Sequence, residues 1–105
     1  MTVVVVFKWL VKPEKQAAHD RMMQRYVKWM KENPTAELRS YRILTQMFGG
    51  IYGSYIELME FDNIADFEKV FERNMKDKEF AAIMQETVQV TEPATLCFEV
   101  WNAVI

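Results

Sequence analysis

An arginine and a glutamate near the middle of the chain could do chemistry together. Two β-rich runs over residues 38–61 meet at Gly49-Gly50, and counting outward from a turn centred there sets Arg42 opposite Glu57. The arginine could bind a carboxylate group. The glutamate could act as a general base, because desolvation would raise its pKa while the arginine lowers it again. The alternative is a cross-strand ion pair with only a structural role.

The predicted register depends on charge pairing across the turn. It also sets Arg39 opposite Glu60, and a one-residue slip would break both arginine–glutamate pairs. Because side chains alternate along a strand, the face that carries Arg42 and Glu57 also holds apolar groups that could contact a ligand. These groups are Leu44, Tyr55, Met59 and Phe61. The opposite face is predicted to pack on helices and carries Ile43, Ile56 and Leu58.

The two terminal strands add charge to the same predicted face. Residues 2–11 and 95–104 are rich in β-branched and aromatic residues, which favours strands. Their alternation sets Lys8, Glu99 and Trp101 on the side of the predicted ion pair, where Lys8 and Trp101 are further candidate ligand contacts. Lys8 and Glu99 would then extend that pair to a neutral network of four charges. Glu99 is also a second candidate for acid–base work.

Three further residue types are candidates with plainer alternatives. His19 is the only histidine and could contact a ligand and transfer protons near neutral pH, or it could be a boundary residue with one nitrogen in water. Cys97 is predicted to be a buried, inert thiol. The eight methionines fill the core or, alternatively, line a soft pocket for an apolar ligand. Without a cluster of cysteines and histidines, we expect no metal site.

The pattern of elements predicts one α+β domain over residues 1–105. The predicted order is strand 2–11, helix 14–32, hairpin 38–61, helix 63–89 with a bend at 75–78, and strand 95–104. Two crossovers with their helices on one face give the ferredoxin-like βαββαβ arrangement, with a four-stranded antiparallel sheet.

Composition excludes several classes of function. The net charge is −2 and basic residues are interspersed with acidic ones, so nothing forms the basic stripe that nucleic acid requires. The single cysteine favours a reducing cytoplasm. The apolar start is too short to span a bilayer and lacks the features of a signal peptide, so no membrane partner is expected.

The bare face of such a sheet predicts a partner. It would carry a large, mostly apolar patch formed by Val4, Val6, Lys8, Leu10, Leu44, Tyr55, Met59, Phe61 and Trp101. Monomers rarely leave a patch of this size in water. A two-fold homodimer with sheet facing sheet is the simplest arrangement that covers it.

The chain resembles the dimeric α+β-barrel superfamily, and within it NIPSNAP-like and antibiotic-biosynthesis-monooxygenase-like domains. The segment IELMEFDNI (56–64) is similar to the NIPSNAP pattern of apolar strand, aromatic residue and acidic-polar helix start. FKWLVKPEK (7–15) is similar to the family's strand followed by Lys-Pro-Gly, with Trp9 at the aromatic position and Glu14 replacing the glycine. The resemblance implies a homodimeric barrel with a ligand cavity between each sheet and its helices or in the lumen.

Departures from the family narrow the expected function. Haem-degrading relatives carry a ligand histidine in the second helix, whereas the matching place here falls near Ile83 or Met84, which argues against haem. Those relatives also carry an aromatic pocket residue before the second helix. The matching residue here is Phe61, which keeps only the size of that side chain. We therefore expect no cofactor and a domain that binds a small, largely apolar molecule. The alternatives are a cofactor-independent oxygenase or isomerase with a carboxylate base, and a structural assembly module.

Overall fold

A computed structural model describes residues 2–105 of the chain. The strands are β1 (Val3–Leu10), β2 (Ser40–Thr45), β3 (Ser54–Phe61) and β4 (Cys97–Asn102). The helices are α1 (Gln16–Glu32, preceded by a 3₁₀ turn at Pro13–Lys15), α2 (Ile64–Met75) and α3 (Lys78–Val90). All neighbouring strands are antiparallel, in the order β2-β3-β1-β4. This is the predicted ferredoxin-like α+β fold.

The predicted break in the second helical segment is confirmed, and each half has its own cap. The side chain of Asn63 accepts a hydrogen bond from the backbone N–H of Asp66 at the start of α2. The side chain of Asp77 accepts from two backbone N–H groups at the start of α3. Such caps satisfy N–H groups that lack a partner within the helix, so they favour two separate helices over one continuous helix.

The core consists of two apolar clusters. The first joins the sheet to α2 and comprises Val3, Val5, Met59, Phe61, Phe67 and Val70. The second joins α1 to α3 and comprises Met22, Tyr26, Trp29, Phe80, Ile83 and Val90. No helix within residues 2–105 is long and apolar enough to cross a membrane.

The predicted register of the hairpin is wrong by one residue. Arg42 lies opposite Leu58, and Glu57 lies opposite Ile43. Since side chains alternate along a strand, the slip moves the whole of β3 to the other face. Tyr55, Glu57, Met59 and Phe61 therefore face the helices, whereas Ile56 and Leu58 join the bare face.

The physical reason for the slip lies in the loop and in the core. The loop between β2 and β3 spans residues 46–53, and Gly53 adopts positive φ as Gly49 and Gly50 do, so the hairpin is not closed by a two-residue turn. The observed register buries Met59 and Phe61 in the core. Burying two such side chains stabilises by roughly 1.5–3 kcal/mol each, which exceeds the gain of about 0.2–1 kcal/mol from a cross-strand charge pair.

The ion pairs that supported the predicted register do not form. Arg39 instead pairs with Asp62 at 2.6 Å, and Glu60 lies opposite Ser40. The faces of β1 and β4 are as predicted, because Phe7 lies opposite Phe98 on the helix side of the sheet. The bare face thus carries Val4, Val6, Lys8, Leu10, Ser40, Arg42, Leu44, Ser54, Ile56, Leu58, Glu60, Cys97, Glu99 and Trp101.

Candidate functional site

Glu57 is a buried carboxyl group in the layer between the sheet and the helices. Its side chain is 6% exposed, and on the neighbouring strands it lies beside Phe7 and Ile43. Tyr26 on α1 donates its O–H to Glu57 Oε2 at 2.6 Å. Within residues 2–105, no hydrogen bond reaches the second oxygen, Oε1. One oxygen is therefore held by the protein and the other is free to contact a ligand.

Burial changes the protonation of this pair. Desolvation raises the pKa of Glu57 to about 7, and the hydrogen bond from Tyr26 lowers it in part. The pKa of Tyr26 is raised well above its usual value, first by burial and then by the charge of Glu57. Tyr26 therefore remains a hydrogen-bond donor at neutral pH, where Glu57 can both take up and release a proton.

A cavity of about 250 Å³ lies between the sheet and the helices, and Glu57 and Tyr26 are on its wall. Six methionines line it: Met22, Met23, Met30, Met59, Met75 and Met84. Its aromatic lining comprises Phe7, Trp9, Phe61, Phe67, Phe71 and Phe80. Thioether and aromatic groups adapt to flat apolar molecules, so the lining favours such a ligand.

The cavity opens to water along one side. Three of its lining side chains keep about two-fifths of their surface exposed: Phe71 at 39%, Met75 at 41% and Leu96 at 43%. Phe71 and Met75 lie on α2, and Leu96 directly precedes β4. These side chains mark the route by which a small molecule would enter.

His19 is fully buried, so the prediction of a boundary residue with one nitrogen in water is wrong. Trp9 donates its indole N–H to His19 Nε2 at 3.0 Å. Because Nε2 accepts, the ring proton of a neutral imidazole is on Nδ1, which lies 3.2 Å from Asp20 Oδ1. His19 is not on the cavity wall. Its hydrogen bond holds in place the indole of Trp9, and Trp9 does line the cavity.

Tyr55 and the remaining predicted ligand contacts have different positions. The ring of Tyr55 stacks on Trp9 with centroids 5.9 Å apart, and its hydroxyl accepts from the amide of Gln16 at 3.0 Å. Met59 and Phe61 line the cavity on the helix side of the sheet. The predicted contacts on β3 therefore lie beside the helices and not on the bare face.

The predicted four-charge network is split across the sheet. Lys8 and Glu99 pair at 3.1 Å on the bare face, and Trp101 donates its indole N–H to Glu99 at 3.2 Å. Arg42 is exposed on the same face but on the edge strand β2. None of these four residues shares a face with Glu57, so they cannot assist it.

Two further observations concern possible metal or thiol chemistry. Cys97 is exposed on the bare face, so the prediction of a buried thiol is wrong. Among residues 2–105, no group of three or more histidine, cysteine, aspartate and glutamate side chains is arranged to hold a metal ion.

Tyr26 is the site residue that sequence reasoning missed. Its spacing from Met22 and Trp29 indicates only a core residue of α1, and the structure places it among buried core residues. A hydroxyl on a buried stripe needs a partner on the facing layer, and Glu57 is that partner. The correct register would have turned Glu57 towards the helices, but it would not have identified Tyr26 as the partner.

No protein-family model matches the sequence, and no curated protein does. Solved structures share its fold. A NIPSNAP family protein from Agrobacterium tumefaciens has a TM-score of 0.77 at 10% identity, covering 99% of this chain and 94% of that chain. A variant of SnoaB, a cofactor-independent oxygenase from Streptomyces nogalater, has a TM-score of 0.70 at 12% identity, covering 99% and 94%.

A third structure carries a description of assembly as well as fold. It is a dimeric protein of unknown function with a ferredoxin-like fold from Bacteroides fragilis, with a TM-score of 0.69 at 12% identity, covering 97% of this chain and 96% of that chain. These similarities confirm the predicted resemblance to NIPSNAP-like and antibiotic-biosynthesis-monooxygenase-like domains at the level of the fold. At such low identity, the chemistry of the site has to be argued from this chain's own residues.

The raised pKa of Glu57 predicts a loss of stability as pH rises. Folded Glu57 keeps its proton up to about pH 7, whereas an ordinary glutamate loses it near 4.5, so the folded state binds more protons in between. The free energy of unfolding should therefore fall by about 3 kcal/mol across this window and level off above it. Urea unfolding at a series of pH values measures this change.

The matched variants Glu57→Gln and Glu99→Gln serve as test and control. Glu57→Gln keeps an acceptor for Tyr26 but cannot ionise, so its stability should lack the fall. Glu99→Gln changes a half-buried carboxylate that pairs with Lys8 outside the cavity, and it should retain the fall, because the pKa of Glu99 is lowered and not raised. Equal falls in the wild type and Glu57→Gln would show that Glu57 is ionised at acidic pH like an exposed glutamate.

Proposed function

We propose that this protein binds a small, largely apolar molecule in the cavity between its sheet and its helices. The observation that carries the proposal is an ionisable group, Glu57, buried on the wall of an otherwise apolar cavity. An engineered cavity of about 150 Å³ holds benzene, so a cavity of about 250 Å³ has room for roughly a two-ring molecule.

Burial of Glu57 is costly, which favours a role in function over a role in stability. A carboxyl group removed from water loses solvation that one hydrogen bond from Tyr26 does not fully replace, as its raised pKa indicates. A glutamine or leucine would fill the same space without that cost. Groups with strongly perturbed pKa values in a cavity are candidates for proton transfer or ligand recognition.

A catalytic role is the second candidate, and the pKa of about 7 favours it. The ionised Glu57 could remove a proton through its free Oε1 from a carbon beside a carbonyl group, while Tyr26 holds Oε2. An isomerase would return the proton to another carbon. An oxygenase would let the carbanion react with dioxygen, so that a CH₂ group and O₂ give a carbonyl and water.

The fold of SnoaB supports the oxygenase version at the level of architecture only. Arg42 and Glu99, the other predicted catalytic residues, lie on the bare face and take no part in the proposed chemistry. The third alternative, a purely structural assembly module, is disfavoured, because a buried carboxyl beside a cavity does not help a module of this kind to fold or assemble.

The two-ring ketone 2-tetralone tests both candidates. Wild-type protein should bind it, as measured by isothermal titration calorimetry, because the ring system fits the methionine and aromatic lining. In D₂O the protein should also accelerate hydrogen–deuterium exchange beside the carbonyl, increasingly as pH rises through 7 and Glu57 ionises. Proton NMR follows the exchange.

Variants separate binding from catalysis. Met84→Trp fills the cavity and should weaken binding at least tenfold, whereas Met47→Trp on the exposed loop should leave it unchanged. Glu57→Gln should bind but lose the exchange. If Met84→Trp binds as the wild type does, the cavity is not the binding site. If Glu57→Gln exchanges as fast as the wild type, Glu57 is not the base.

We also propose that the bare face of the sheet is covered by a second copy of the chain. The corrected face keeps the apolar residues Val6, Leu58 and Ile56 on its central strands, and the charges of its Lys8, Arg42, Glu60 and Glu99 sum to zero. The Lys8–Glu99 pair on this face is neutral, so two copies could meet without repulsion from it. A solved structure of the same fold is described as dimeric, which supports the arrangement.

A charge at the centre of this face should prevent assembly. Wild-type protein at micromolar concentration should sediment at twice its chain mass of 12.5 kDa, and Leu58→Glu should sediment as a monomer with an unchanged far-UV circular dichroism spectrum. Gln24→Glu adds the same charge on the exposed side of α1 and should remain dimeric. A monomeric wild type, or a dimeric Leu58→Glu variant, would overturn the proposed interface.

A further inference from the structure

Asn74 is a buried polar residue at the end of α2. It takes no part in the proton transfer proposed for Glu57. Its side chain is 9% exposed, and it lines the same cavity as Glu57. Its backbone carbonyl accepts a hydrogen bond from the N–H group of Asp77 at 2.9 Å, at the end of the helix. The carboxamide makes no hydrogen bond with residues 2–105, so the capping of the helix does not account for it.

The carboxamide opens onto the cavity. Every sealed side-chain nitrogen or oxygen within residues 2–105 has a hydrogen-bond partner, so an unpartnered group on a buried residue must face open space. Asn74 is one of the residues that line the cavity, so the cavity offers that space. An unpaired amide in apolar surroundings costs free energy unless a ligand or water pairs with it.

The other polar side chains on the cavity wall are already occupied. Trp9 donates its N–H to a histidine, Tyr26 donates its O–H to Glu57, and Thr87 donates its O–H to a backbone carbonyl. The hydroxyl oxygens can still accept, but only two polar groups on the wall have no hydrogen bond to residues 2–105: Oε1 of Glu57 on the sheet and the carboxamide of Asn74 on the helix layer. Glu57 and Asn74 do not hydrogen-bond to each other, so each can bind a different atom of the ligand.

We propose that Asn74 is a specificity-determining residue that pairs with a second polar group of the ligand. The ligand class is then a flat, uncharged molecule of about two rings with two oxygen substituents, one on each ring. One oxygen group meets Glu57, and the other meets Asn74, whose carboxamide can both donate and accept. The inference rests on the proposed binding function and narrows it.

Two naphthols test this inference. 2-Naphthol carries one hydroxyl, and the symmetric 2,6-dihydroxynaphthalene carries one on each ring. In calorimetric titrations of the wild type, the second hydroxyl should tighten binding roughly five- to tenfold, the range expected for one net hydrogen bond. In both Asn74→Leu and Asn74→Ala this gain should fall below about twofold, while binding of 2-naphthol is retained. The readout is a difference between two probes, so a general loss of stability would not reproduce it.

Asn102→Leu is the matched control, because it makes the same change at an exposed position of β4 outside the cavity, and it should keep the full gain. If both probes bind but the second hydroxyl still tightens binding in the two Asn74 variants, Asn74 does not bind that hydroxyl. The proposed binding function would still stand. The same holds if the wild type shows no gain at all. If neither probe binds the wild type, the binding function and the inference fall together.

Discussion

The pairing of β3 with β1 is the constraint on which the rest of the structure depends. It sets Phe61 opposite Val3 and Met59 opposite Val5, so that the sheet closes against α2. The same alternation turns Glu57 towards the helices. The apolar side chains on this strand supply the free energy that holds the carboxyl in place, and the carboxyl itself contributes little because its desolvation is only partly offset by Tyr26.

The elements of the fold could be predicted from the sequence because each depends on local signals. Helix capping at Asp77 and the apolar alternation of β1 and β4 are readable along the chain, and both agree with the structure. The register of β3 could not be read in that way. The hairpin loop has three glycines with positive φ, and counting from the first two gave a turn that does not form. Charge pairing then favoured the wrong register, although the burial of Met59 and Phe61 is the larger effect.

The candidate site was predicted only in part, because the wrong register of β3 also gave Glu57 the wrong neighbours. Glu57 was singled out as a carboxyl in apolar surroundings, and a cavity between sheet and helices was implied by resemblance, but the predicted partners were drawn from the opposite face. The true partner, Tyr26, lies 31 residues away on α1, and no local pattern links the two. The buried position of His19 likewise depends on its hydrogen bond with Trp9, which forms only when α1 packs on the sheet. Long-range contacts between layers carry no signature in a single sequence.

The central claim is that Glu57 is a buried carboxyl that exchanges its proton near neutral pH beside a cavity. Titration of ¹³C-labelled glutamate side chains by NMR measures this property directly. One carboxyl resonance should titrate with a midpoint near pH 7 and be absent from Glu57→Gln. If every glutamate carboxyl titrated below about pH 5.5, in the range of ordinary glutamates, Glu57 would be an exposed or ion-paired residue and the account would be wrong.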